Sequence, residues 1–144
     1  MAKEIQIIQF EEIYRKELIG LWEACDLVRP WNDPGKDIDR VLADKSGRIF
    51  LLLENGRLTG SVMAGFDGHR GWVYYLAVDP GDRQKGRGRR LMDHSEDYLR
   101  SIGCPKLNLM IRNSNLGAAG FYSRLGYLRD DVAVMSKKLI RDQD

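Results

Sequence analysis

Trp72-Val73-Tyr74-Tyr75-Leu76-Ala77-Val78-Asp79-Pro80-Gly81-Asp82-Arg83-Gln84-Lys85-Gly86-Arg87-Gly88-Arg89-Arg90-Leu91 is the stretch that decides the fold. Its first seven residues alternate, with Trp72, Tyr74, Leu76 and Val78 set against Val73, Tyr75 and Ala77, which predicts a strand. Asp79-Pro80-Gly81-Asp82 ends it, since proline lacks the ladder donor and glycine favours a turn. After the glycine-rich turn, Leu91, Ser95, Tyr98, Leu99 and Ile102 recur at helical spacing. Gly103 caps that helix and Pro105 blocks its continuation. Residues 106–111 alternate again as a strand. Strand, helix and strand in this order imply a right-handed crossover.

Upstream, residues 48–54 and 58–66 read as strands joined by Asn55-Gly56, a pair that tolerates positive φ at both turn positions. Asp67-Gly68-His69-Arg70-Gly71 turns the chain back, so the centre is a three-strand antiparallel meander. Ile5-Gln6-Ile7-Ile8 predicts a first strand. Tyr14, Leu18, Leu21, Trp22 and Cys25 mark one face of a helix over residues 11–25. Residues 29–35 are expected as a loop, because two prolines and a glycine oppose regular structure; a short helix follows over about 37–43. Downstream, residues 117–125 predict a helix ended by Gly126, and residues 127–139 two final strands. The expected order is β-α-α-β-β-β-α-β-α-β-β, an α/β (α+β) class with a mixed, mostly antiparallel sheet flanked by helices.

The 144 residues suit a single domain over 1–144. A net charge of only +2 gives no argument for nucleic-acid or membrane partners. The one basic cluster, residues 83–90, sits at a helix start without interleaved aromatics, unlike a nucleic-acid face. Cys25 and Cys104 lack redox or zinc spacing and neither histidine lies near them, so free thiols, no metal site and a reducing compartment are expected. The first ten residues form no unbroken apolar run and 49–53 is too short to span a bilayer, which leaves a cytoplasmic location as the expectation.

The chemistry concentrates in the turn. A helix N-terminus presents unpaired N–H groups and the positive end of the helix dipole. Gly86 and Gly88 let that backbone approach an anion, and Arg83, Lys85, Arg87, Arg89 and Arg90 surround it. The pattern suits a multiply charged phosphate; it also fits a tight turn with solvated arginines. It is neither a P-loop, lacking Gly-Lys-Ser/Thr, nor a dinucleotide fingerprint, lacking Gly-x-Gly-x-x-Gly.

Val78-Asp79-Pro80 ahead of Arg83-x-x-Gly86-x-Gly88, with Asn115, Phe121-Tyr122 and Leu125-Gly126-Tyr127 downstream, resembles the GCN5-related N-acetyltransferase (GNAT) family over essentially the whole chain. Within it, residues 22–27, 29–34, 65–71 and 103–106 resemble the RimI-like branch. The resemblance implies an acetyl-CoA-dependent N-acetyltransferase, with direct amine attack on the thioester. It implies that the backbone of Arg83, Gln84, Lys85, Gly86, Arg87 and Gly88, with Arg89 opening the helix, holds the pyrophosphate. The strand edge at Leu76, Ala77 and Val78 would pair with pantetheine, whose amides suit such an edge. Asn115 would contact the cosubstrate, and Tyr122 would protonate the thiolate. Asn115 equally suits a helix N-cap, and Tyr122 a core aromatic.

Many relatives carry a glutamate on the strand before the turn; residues 72–78 contain no acid. Base candidates are therefore Asp67 and His69 in the turn, Asp33, Asp37 and Glu54, with Tyr75 as a relay through water. Trp31, Asn32, Asp33, Asp67, Arg70 and Tyr75 are expected to wall the acceptor site, the two aspartates favouring a cationic amine. The resemblance implies as acceptor either a protein or peptide amine or a small amine metabolite. The missing glutamate also admits a catalytically inactive CoA-binding regulator. Relatives often pair through late strands, so the resemblance allows a homodimer.

Overall fold

The computed structural model describes residues 4–142. β1 (Ile5–Gln9) is followed by a 3-10 turn and α1 (Arg15–Ala24), then α2 (Pro34–Ala43), β2 (Arg48–Glu54), β3 (Arg57–Phe66) and β4 (Gly71–Val78). A second 3-10 turn leads to α3 (Arg87–Ser101), β5 (Leu107–Asn108) and α4 (Leu116–Arg124). The five strands lie side by side in chain order, antiparallel except for the β4–β5 pair. That parallel pair is bridged by α3, as the strand–helix–strand pattern predicts. At the β2–β3 hairpin Asn55 and Gly56 both adopt positive φ, +54° and +81°. This is the mirror-image turn that matches the twist of the flanking strands.

The sheet is covered on both faces, which is why β2 is apolar without interruption. Ile49, Leu51 and Leu53 join Leu18, Leu21, Trp22 and Ile38 on the α1/α2 side. Phe50 and Leu52 join Val62, Leu91 and Met92 on the α3 side.

Four readings from sequence need correction. The loop expected over 29–35 gives way to α2 at Pro34. Proline is preset for the first helical position, and the Asp33 carboxylate caps the amides of Gly35 and Lys36. The alternation in β4 breaks. Tyr75 has φ +54° and the β3 register slips between Ser61 and Met63. Val73 therefore shares a face with Leu76 and Val78, while Tyr75 and Ala77 pack on the other. The strand expected over 106–111 pairs only at Leu107 and Asn108. No strand forms over 127–139 among the described residues. A strand needs a partner edge, and β5 offers two residues of one; Leu128, Val132, Val134, Met135 and Leu139 stay exposed.

Candidate active site

Beyond Trp72 the β4 edge that faces β5 has no strand partner, so β4 and β5 part after two residue pairs. At the open end lies the glycine-rich turn. Gln84 and Gly86 take positive φ, +64° and +80°, between residues of ordinary conformation. Successive N–H groups in such alternation converge into an anion-binding concavity. Gly86 is the N-cap of α3, and no side chain caps the amides that follow it. Gly88 packs against α4: a Cβ there would stand 3.0 Å from the Phe121 ring.

The basic residues of the turn are not equivalent. Arg83, Lys85, Arg89 and Arg90 are exposed. Arg83 Nε donates to the Val78 carbonyl (3.1 Å), and Lys85 Nζ stands 3.8 Å from Asp82. The Arg87 side chain turns inward. Its guanidinium is buried, donating to Glu54 Oε1 (2.7 Å) and to the Lys85 carbonyl (2.8 Å). So Arg87 can offer an anion its backbone but not its charge, and Glu54 is engaged with it.

On the α1/α2 side the break in β4 places Tyr74 and Tyr75 together on the wall of one cleft of about 550 Å³. A bulky residue at positive φ is costly and persists only where its surroundings hold it. Tyr75 is held from three sides. Its ring stacks on buried Trp22, centroids 3.8 Å apart and 15° from parallel. Its carbonyl accepts from Ser61 Oγ (3.0 Å), which in turn accepts from Trp22 Nε1 (2.9 Å). Its phenol donates to Asp37 Oδ2 (2.6 Å) from the first turn of α2. Burial, reinforced by the Asp37 bond, pushes the Tyr75 phenol well above its ordinary range, so its proton stays on at neutral pH.

Of the residues expected to wall an acceptor site, Asn32 and Tyr75 line this cleft, with Asp37. Trp31, Asp33, Asp67 and Arg70 are not among its lining residues. Trp31 lies at the surface under the Lys138 ammonium. Asp33 is committed to the α2 cap. Asp67 accepts from the His69 and Arg70 amides, both at 2.8 Å, which hold its carboxyl below the usual range. His69 is exposed on the same turn. Among the lining residues that sequence reasoning missed, three are charged: Arg29, Arg40 and Arg112. They come from separate segments, and no local pattern unites them.

On the opposite face, half-buried Tyr122 meets Phe121 and Tyr127 edge to face, at 5.0 and 5.8 Å. Burial alone pushes its phenol up to about 12. Asn115 Oδ1 caps α4 by accepting from the Ala118 amide (3.0 Å). Both cysteines are free thiols. Among the described residues no cluster of His, Cys, Asp and Glu could hold a metal, and no helix is long and apolar enough to cross a membrane.

The chain is 46% identical over 142 residues to an acetyltransferase of Yersinia pestis (strain Pestoides F), spanning 98% of this chain and 99% of that one. It is 43% identical over 143 residues to an acetyltransferase of Sodalis glossinidius (strain morsitans), again covering 98% and 99%. Its fold matches an aminoglycoside N-acetyltransferase crystallised with CoA, with a TM-score of 0.81 at 16% identity over 97% and 98% of the two chains. It also matches glucosamine-6-phosphate N-acetyltransferase from Arabidopsis thaliana, with a TM-score of 0.73 at 19% identity over 95% and 99%. Residues 7–127 match the family described as Acetyltransferase (GNAT) family, and with the close relatives this places the chain in that family.

Proposed function

We propose that this protein is an acetyl-CoA:amine N-acetyltransferase of the cytoplasm, acting as a single domain by direct attack of a primary amine on the thioester. Within the family, the likeness of residues 22–27, 29–34, 65–71 and 103–106 supports a place in the RimI-like branch and a kinship with the bacterial acetyltransferase YpeA. The observation that carries the reading is the break in β4 at Tyr75. β4 leaves a strand edge open beside the glycine-rich turn, and its break turns a phenol toward a cleft on the other side.

The residues present fit acetyl-CoA. The amides from Arg83 to Gly88, with Arg89 beside them, suit the pyrophosphate. The open edge at Leu76–Val78 suits the pantetheine amides; the Val78 carbonyl is already engaged by Arg83 and by Cys25 Sγ (3.3 Å). Acetyl-CoA, when bound, supplies an activated acyl group. Asp37 and Tyr75 then handle the proton of the attacking amine: the Tyr75 oxygen accepts it while its own proton passes to Asp37. Tyr122 keeps its proton far above neutral pH and serves as acid to the leaving sulfur. Asp37 is the acid that β4 lacks, which supports catalysis over a CoA-binding regulator.

Turnover read as free thiol release, with a panel of amines, tests the reading. Gly86→Glu should raise KM for acetyl-CoA at least about tenfold. It forces a side chain into positive φ and sets a carboxylate among phosphate-binding amides. Tyr122→Phe should lower kcat only about tenfold, because a thiolate leaves tolerably without an acid. The wild type should show no alkaline loss attributable to Tyr122 below about pH 10, given its raised pKa. A protein that does not bind acetyl-CoA in calorimetry would overturn the proposal.

A further inference from the structure

We infer that the acceptor is a primary amine that carries its own carboxylate or phosphate, seated by Arg112 and Arg29 in the Tyr75 cleft; this rests on the acetyl-transfer reading above. Among the described residues, the charged groups lining the cleft are Arg29, Arg40, Arg112 and a single acid, Asp37. Asp37 is engaged by the Tyr75 phenol at 2.6 Å. The two aspartates that would have attracted a cationic amine, Asp33 and Asp67, are committed to a helix cap and a turn.

The three arginines differ in what they hold. Arg40 forks onto the Asp142 carboxylate at 2.6 and 3.2 Å. The Asp33 amide (3.4 Å) also donates to that carboxylate, and Lys36 Nζ (2.8 Å) donates to the Asp142 carbonyl. This rim therefore already receives a carboxylate, the chain's own. Among the described residues Arg29 pairs only with Asp26, at 3.6 Å, whose side chain is 89% exposed. An exposed pair of that length is worth little and yields readily to a better anion. Arg112 has no ion-pair or hydrogen-bond partner for its guanidinium among the described residues. Two arginines thus line the cleft without a committed acid among the described residues, in a volume suited to a small metabolite. A polyamine would meet net positive charge there. An amine bearing an anion would place that anion on the arginines and its nitrogen toward Tyr75, and such charge-assisted contacts are the strong ones.

The test uses matched acceptors with the full-length protein and acetyl-CoA: glucosamine against glucosamine 6-phosphate, and phenylalaninamide against phenylalanine, with spermidine as the cationic control. The anionic member of at least one pair should show kcat/KM at least about tenfold higher, and which pair responds separates phosphate from carboxylate. Arg112→Gln should bring that ratio to within about twofold of one, leaving KM for acetyl-CoA in place; Arg29→Gln should lower it in the same direction. Preference for spermidine or the neutral members overturns the inference. So does an Arg112→Gln effect that falls on acetyl-CoA instead of the ratio. If no amine turns over, the transfer reading fails, and binding of the same pairs to CoA-saturated protein by calorimetry decides this inference separately. Tighter binding of an anionic member, lost in Arg112→Gln, sustains it; equal binding ends it.

Discussion

Replacing Asp37 with asparagine is expected to lower kcat/KM by about 10²- to 10³-fold near neutral pH, within the range for losing a general base. The substitution keeps size and a hydrogen-bond acceptor for the Tyr75 phenol but cannot take its proton. α2 should remain in place. It is fixed by Ile38, which is fully buried, by the Asp33 cap and by Arg15, which donates to the Gly35 carbonyl and pairs with Asp39. Acetyl-CoA affinity should therefore be unchanged. The deficit should narrow as pH rises through the pKa of the acceptor amine, because an amine already neutral needs no base before it attacks, and the proton it sheds afterwards is far more acidic. Tyr75→Phe keeps the ring stacked on Trp22 and should show a similar deficit. The double variant should be little worse than either single one, as expected for two members of one relay. Thermal melting and pH–rate profiles of the three variants check this. A deficit independent of pH, or one that multiplies in the double variant, would assign Asp37 a merely structural role.

Asp37 and Tyr75 also show what the sequence could carry. The meander, the crossover helix and the glycine-rich turn were legible because each is written locally: Asn55-Gly56 sets the hairpin, Gly86 sets the turn, and Leu91 to Leu99 set the helix face. Nothing in Tyr74-Tyr75-Leu76 announces that Tyr75 adopts positive φ, since the conformation is imposed by Trp22 and Ser61, far away in the chain. The contact of Tyr75 with Asp37 spans 38 residues and is a product of tertiary packing. Asp37 could be named as one acid among several, but only the fold sets it apart from Asp33 and Asp67, whose carboxylates serve their own backbones. The late strands were misread for a related reason. Alternation over 127–139 describes a face, whereas a strand also requires an edge to pair with, and the parting of β4 and β5 leaves little of one.

Glu54→Leu is expected to destabilise the protein by about 3–5 kcal/mol and to weaken acetyl-CoA binding as well. Glu54 and Arg87 form a pair whose side chains are only 4% and 9% exposed. Removing one member of a buried pair leaves the other charge uncompensated, which costs far more than the intact pair contributes. The location gives the loss a functional edge. Glu54 ends β2 beside the hairpin, and Arg87 opens α3 while holding the Lys85 carbonyl, so the pair ties the glycine-rich turn to the sheet. With the tie gone, Arg87 must reach water, and it takes the first turn of α3 with it. Adding Arg87→Met to Glu54→Leu should recover most of the stability, because two apolar groups of similar volume avoid the uncompensated charge. It should not recover all of the acetyl-CoA affinity, since the hold on the Lys85 carbonyl is still missing. Urea denaturation of the two single variants and the double variant measures the coupling, and calorimetry with CoA measures the affinity. Full recovery of both in the double variant would mean that the pair contributes to folding alone and leaves the shape of the turn to Gln84 and Gly86.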